Sequence, residues 1–367
     1  MTSNLVELIG LYDEHAPLES AKTIPSAWYT EPAILALEQR AVFGRSWIAA
    51  GRADQVEAPG QYFTTDLAGE PLLVVRGADR ELRAFFNVCR HHAAAVAPAG
   101  CGTAQLFRCP YHGWTYASDG LLKGTPDFAG VCDFDRKENG LVPVRVDAWE
   151  QFVFVCMDPS SPPLDDFLGA IKEQTSALNF ASLRFYERRE YTLNCNWKVF
   201  VDNYLDGGYH VPYIHKALNS VLEYSEYTIE NGARFCLQSS PIAASDDHAD
   251  VTSTRRGNRA YYYWLYPNFM INFYDGVMDT NLVLPLGVDR TLVIFDFFFN
   301  DSSGRTLNDQ SVAVSDRIQE EDVEICESVQ RGLRSRAYSA GRLSVRREAG
   351  EHLFHRLLAR DLKAELG

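Results

Sequence analysis

Residues 109–116 read CPYHGWTY, and upstream the chain reads CRHH at 89–92. Each stretch sets one thiol and one imidazole close together, Cys89 with His91 and Cys109 with His112. Pro110 and Gly113 are turn residues that fold the second stretch tightly around its pair. Two thiolates and two imidazoles can hold zinc tetrahedrally. They can equally hold an iron–sulfur cluster, thiolates on one iron and imidazoles on the other. His92 is expected to pack or hydrogen-bond within its loop. Cys101, Cys132, Cys156, Cys195, Cys236 and Cys326 read as plain buried thiols.

A second group of candidate ligands lies in NYLDGGYHVPYIH, residues 203–215. At about 100° per residue, a straight helix cannot aim His210 and His215 at one ion. Pro212 between them is expected to end or kink the helix so that the imidazoles converge. Asp206 precedes His210 by four, and Gly207–Gly208 suggests a distortion there. Two histidines and one carboxylate form the facial arrangement that leaves positions open on a non-haem Fe(II) ion. The carboxylate is sought in DQSVAVSDRIQEEDVEICESVQRGL, 309–333, whose apolar stripe is read as Val314, Ile318, Ile325, Val329 and Leu333. Asp322 falls inside that stripe, Glu321 at its margin, and Glu320 and Glu324 outside. A carboxylate on a buried face needs a partner, so Asp322 is the expected third ligand. Asn203 is expected to help order the site, and Asp202 to be solvated or a cap.

CRH followed by CPYHGW, with 17 residues between the pairs, resembles the Rieske [2Fe–2S] signature. Together with the histidine pair and Asp322, it resembles the α subunit of Rieske non-haem iron oxygenases over nearly the whole chain. The finer pattern, in NWKVFVDNYLDGGYHVPYIHKAL and YPNFMINFY, looks like the choline monooxygenase branch of that family. The resemblance implies an α+β fold: a Rieske β domain, then a helix-grip catalytic domain with a large antiparallel sheet. It implies a [2Fe–2S] cluster at Cys89, His91, Cys109 and His112, and mononuclear Fe(II) at His210, His215 and Asp322. It also implies a homotrimer in which Asp206 bridges the cluster of one subunit to the iron of the next. Ring-hydroxylating dioxygenases commonly carry that acid three residues before the first histidine, where Gly207 stands here. The implied reaction is O2-dependent hydroxylation of a carbon next to nitrogen in a quaternary ammonium or N-methylated molecule, with a ferredoxin or flavin reductase as electron donor. The rival readings are an aromatic-ring dioxygenase and a Rieske electron carrier without an oxygenase site.

Three segments are expected: a helical 1–48 packed on the catalytic domain, a β domain at 49–160, and the catalytic domain at 161–367. DPSSPPLDDF at 158–167 is proline-rich and polar, a natural linker. Aromatic faces bind cations that cannot donate hydrogen bonds, and the second half offers YYYWLY at 261–266, Phe269, Phe273, Tyr274, Tyr204 and Tyr209. In the strand 261–266 alternate residues face opposite sides, so only one set can meet a cavity.

The chain has 367 residues, is 46% hydrophobic and carries a formal net charge of −14, which disfavours nucleic acid and anionic membranes as partners. No apolar run is long enough to span a bilayer. The N-terminus lacks a basic and then apolar leader pattern, so a cytoplasmic protein is expected.

Overall fold

The computed structural model describes residues 2–243, 251, 254–300 and 304–367, with side chains from residue 4 on. Its chain forms two compact units, Phe43–Leu164 and the remainder, Met1–Val42 with Asp165–Gly367. The sequence reading placed its divisions after residues 48 and 160.

The unit 43–164 is built on a seven-stranded sheet and a three-stranded sheet. Phe152–Cys156 is buried along its whole length, as its unbroken apolar run requires. The small sheet comprises Leu106–Arg108, Thr115–Ala117 and Leu122–Gly124. Its first hairpin carries Cys109–His112 at the tip. The loop Cys89–His92 follows the strand Leu82–Phe86.

The other unit contains a seven-stranded antiparallel sheet. Its first strand, Arg184–Leu193, pairs with its last, Arg290–Phe299, and the rest runs in sequence from Thr228–Asn231 to Val277–Gly287. The helices Trp197–Leu205, Arg305–Leu333 and Ala349–Leu366 belong to the same unit. The helix Arg305–Leu333 carries the stretch 309–333 read for its apolar stripe, and its buried face is rotated from that stripe. Val329 is 44% exposed, while Ser311, Ser315, Gln319, Cys326 and Gln330 are buried. A stripe of small and polar residues on a buried helix face marks a wall that lines something other than apolar core.

The helix Trp197–Leu205 is anchored from beneath. Lys198 Nζ lies 2.7 Å from Glu38 Oε1, both side chains fully buried. Trp197 Nε1 donates to the other Glu38 oxygen at 2.8 Å. Rings of Tyr29 and Trp197 flank the ammonium, each centroid 5.4 Å away. Burial pushes the Glu38 carboxyl up and the Lys198 amine down, and each ion opposes the other's shift. Lys198→Met, leaving that carboxylate without its counter-ion, should destabilise the protein by about 3–5 kcal/mol in urea unfolding. The double variant Glu38→Gln/Lys198→Met should regain most of the loss.

Candidate metal centres and substrate cavity

In the β unit, the two sequence pairs meet. Backbone bonds close each loop, with Cys89 N–H donating to Ala94 O and Cys109 N–H to Trp114 O, both at 2.8 Å. Cys89 and Cys109 are buried free thiols. The His91 ring stacks on Trp114 at 4.7 Å and 6°, and its Nδ1 is buried without a hydrogen-bond partner. Burial and the neighbouring imidazoles of His92 and His112 hold His91 below its ordinary pKa, toward the neutral form a metal needs.

The spacing bears on the choice between zinc and cluster. His91, His92 and His112 bring ligand atoms within 4.8 Å of one another, but neither sulfur joins any such group among the described residues. A single tetrahedral ion needs all four atoms that close. A two-iron cluster, with sulfurs and imidazoles on different irons, does not. The residues fit the cluster. His92 is exposed and stays in the packing role expected of it, its ring 4.1 Å from that of His91. Sequence reasoning missed Tyr116, whose hydroxyl accepts from Arg90 N–H at 3.0 Å and lies 3.4 Å from Cys89 Sγ. Cys101 and Cys132 are exposed, a correction to the expectation of buried thiols, because both lie in surface segments of this unit.

In the other unit, His210, His215 and Asp322 come together with ligand atoms inside 4.8 Å. His215 Nε2 lies 3.1 Å and His210 Nε2 3.9 Å from Asp322 Oδ1. The opposite ring nitrogens are both taken: His210 Nδ1 is 2.6 Å from Asp206 Oδ2, and His215 Nδ1 is 2.6 Å from Glu321 Oε2. Each Nδ1–H therefore donates to a carboxylate, and each Nε2 presents a lone pair to the same point. Burial works against a charge on His215, yet Asp322 and Glu321 outweigh it and raise its pKa. Two imidazoles and one carboxylate converging on one side fit a divalent iron with open positions.

The local fold that achieves this differs from the expectation at Pro212. The first helix stops at Leu205, and Gly207 and Gly208 turn the chain with φ of 68° and 67°. A Cβ on Gly207 would run into the Arg347 carbonyl oxygen. His210 then caps the start of a short helix, Val211–Ile214, with Pro212 in its first turn, and His215 caps its end. The glycines make the break and proline begins the next helix. Asp206 also accepts the backbone N–H groups of Tyr209 and His210, at 3.1 and 3.0 Å. Asn203 Nδ2 donates to Asp322 Oδ1 at 2.8 Å. Asp202 is neither solvated nor a cap: it accepts from Tyr29 OH at 2.6 Å and lies 3.0 Å from His355 Nε2. Glu321, set at the stripe's margin, was the residue sequence reasoning undervalued; its adjacency to Asp322 was the available signal.

A cavity of about 120 Å³ opens over the three ligand candidates. Tyr204, Tyr262 and Tyr274 from the expected aromatic set line it, and so does the unforeseen Tyr227. Tyr262 therefore identifies the inward-facing set, although its companions Trp264 and Tyr266 are wholly buried, Trp264 against Phe354. Phe273 packs on Phe180 instead, and Tyr209 is exposed. The hydroxyls are tied off, Tyr262 to Tyr274 at 2.8 Å and Tyr204 to Asn272 Oδ1 at 2.8 Å, which leaves ring faces for a ligand. Burial raises the pKa of all four phenols. Asp279 is buried beside them and accepts from Asn272 at 2.6 Å. Burial pushes its carboxyl up, opposed by Arg255.

Comparison with known proteins identifies both domains. Residues 46–135 match the Rieske [2Fe-2S] domain, and 180–364 match the ring hydroxylating alpha subunit catalytic domain. The chain is 40% identical to the chloroplastic choline monooxygenase of Arabidopsis thaliana, covering 98% of this chain and 88% of that one. It is 30% identical to the carnitine monooxygenase oxygenase subunit of Escherichia coli K12, over 94% and 95% of the two chains. A solved quaternary ammonium Rieske monooxygenase, CntA, described with carnitine oxidation and inter-subunit electron transfer, superposes with a TM-score of 0.85 at 28% identity, covering 94% of this chain and 96% of its own. The chain belongs to the Rieske oxygenase family that joins these two domains. It is a Rieske monooxygenase, and its cofactors are a [2Fe–2S] cluster and a mononuclear iron.

Removing the carboxylate behind one imidazole tests the local geometry. Glu321→Ala should weaken iron retention at the histidine pair by about 10–100-fold, measured by chelator competition. The visible absorption of the cluster should not change.

Proposed function

We propose that the protein hydroxylates a carbon adjacent to nitrogen in a quaternary ammonium small molecule, using O2 and electrons from a ferredoxin or flavin reductase. One oxygen atom enters a C–H bond and the other leaves as water, with two electrons and two protons consumed. A hydroxyl on a carbon next to the ammonium nitrogen gives a carbinolamine; loss of its hydroxyl proton breaks the C–N bond and releases an aldehyde and a tertiary amine. The observation that carries this reading is the pair of imidazoles, each oriented by its own carboxylate toward Asp322, under a cavity walled by tyrosine rings.

The assigned roles follow the contacts. Cys89, His91, Cys109 and His112 would hold the cluster, and His210, His215 and Asp322 the iron. When bound, the cluster supplies single electrons and the iron binds and activates O2. Asp206 and Glu321 keep the Nδ1 protons in place, so the Nε2 lone pairs stay aimed. Asn203 pins Asp322 through its shared oxygen. Tyr204, Tyr227, Tyr262 and Tyr274 receive the ammonium on their faces, and Asp279 supplies the opposing charge as it ionises beside a cation. Phe200, Leu218, Leu222 and Phe295 complete the wall and exclude water. An arene dioxygenase has no use for a buried Asp279 and Arg255 in its pocket, which favours the cationic substrate.

A homotrimer is part of the proposal, with Asp206 joining the iron site of one subunit to a cluster histidine of its neighbour. Its half within one chain is the 2.6 Å contact to His210. Tyr213 is 75% and Tyr209 46% exposed beside that histidine, as a surface awaiting a partner would be. The cytoplasm is proposed as its location. No helix of the described residues is long and apolar enough to cross a membrane, and all eight cysteines are free thiols.

Reconstituted protein should contain about three irons per chain, two in the cluster and one between the histidines. His210→Ala should keep the cluster spectrum, lose one iron and abolish oxidation of trimethylammonium compounds. Two irons in the unaltered protein would identify an electron carrier instead.

A further inference from the structure

The cavity holds more than a cation cage. Arg255, 4% exposed, lines it. Its two terminal nitrogens donate to Ser311 and Ser315 hydroxyls at 2.9 and 2.8 Å, and its guanidinium lies 4.8 Å from the Tyr274 ring centroid. Its Nε–H is buried with no hydrogen-bond partner, and Asp279 is the buried carboxylate that feels its charge. Two neutral amides share this state. Gln319 Nε2 and Asn281 Nδ2 are buried, unpartnered and part of the same cavity wall.

The orientation of Asn281 is set by its neighbours. Tyr204 OH donates to Asn272 Oδ1, so Asn272 presents its amino group to Asp279 Oδ2 and, at 3.2 Å, to Asn281 Oδ1. Asn281 is left with an amino group that makes no full hydrogen bond, although it helps hold the Asp279 carboxyl down. Three buried donors, one of them charged, therefore line a space that also offers four tyrosine rings. Leaving a buried donor unmade costs about 1–3 kcal/mol, more for a charged group. A ligand with several acceptor lone pairs and a negative charge would satisfy all three.

Building on the proposed function, we propose that the substrate is a zwitterion of the betaine class. Its carboxylate is received by Arg255, Asn281 and Gln319, and its quaternary ammonium by the tyrosine rings and Asp279. Choline, with a hydroxyl in place of a carboxylate, brings one acceptor and no negative charge. It would leave the buried guanidinium to share Asp279 with the bound ammonium, one anion between two cations. The substrate class that this wall selects is thus not the one named for the 40% identical relative.

The test compares glycine betaine, γ-butyrobetaine and carnitine with choline in substrate-dependent O2 uptake and product formation by the holoenzyme, and in thermal stabilisation without reductant. The best carboxylated compound should exceed choline in kcat/KM by about 10–100-fold, the worth of a charge-assisted contact, and should be the better stabiliser. Arg255→Gln should erase that preference, lowering the carboxylated substrate by about the same factor while choline changes less than about threefold. Arg255→Lys, which keeps the charge, should lie between the two and serves if the glutamine variant folds poorly. A wild-type preference for choline overturns the inference but leaves the proposed function standing. So does an equal loss for both substrates in Arg255→Gln, which would make Arg255 structural. If no trimethylammonium compound is oxidised, the proposed function itself falls.

Discussion

An imidazole can face a metal with either nitrogen, and everything built at the catalytic centre depends on which one is free. Here the choice is made twice by the same device. Asp206 and Glu321 each stand 2.6 Å from an Nδ1, so both Nε2 atoms turn toward Asp322. The two carboxylates reach their histidines from different elements, one from the end of the first helix and the other from the long helix Arg305–Leu333. Asp322 and Glu321 are neighbours in sequence, so one turn of that helix supplies both a ligand candidate and an orienting group. The arrangement is preorganised: a carboxylate that fixes a tautomer also raises the basicity of the opposite nitrogen.

The clustering of candidate ligands was legible without a structure, because residues at short spacing constrain local chain geometry directly. The Cys–His pairs fall on loop tips, and His210, His215 and Asp322 meet. What the sequence concealed was the means. Helical geometry ruled out a straight helix through 210 and 215, but the proline drew attention from Gly207–Gly208, where positive φ values make the actual turn. The long helix was read for its apolar stripe, and its buried face proved to be rich in Ser, Gln and Cys. Periodicity of hydrophobic residues finds a wall that meets core; it is blind to a wall that meets a polar cavity. Asp202 was misjudged for a related reason. Its partners Tyr29 and His355 lie 173 and 153 residues away, and no local pattern announces them.

The catalytic unit carries several groups of buried polar residues. Lys198 with Glu38, Asp202 with His355, and the set around Asp279 all lie within it. The first two are internally matched, ion against ion or donor against acceptor, and they brace the helix that ends at the metal site. The group lining the cavity is matched only in part. Tyr204, Asn272, Asp279 and Asn281 form a chain of hydrogen bonds, and that chain stops at the cavity surface with a donor that makes no full hydrogen bond.

This difference separates framework from recognition. A polar network that closes on itself fixes a structure; one that stops at a cavity leaves its last donors for whatever enters. Burial cost then becomes selectivity, because a ligand that supplies the missing acceptors recovers free energy that an otherwise similar ligand cannot. The tyrosine rings discriminate poorly among methylated ammonium groups, since a cation–π contact reads charge and size. The end of the ligand remote from the nitrogen must carry the distinction, and in this cavity Arg255, Asn281 and Gln319 are the residues placed to read it.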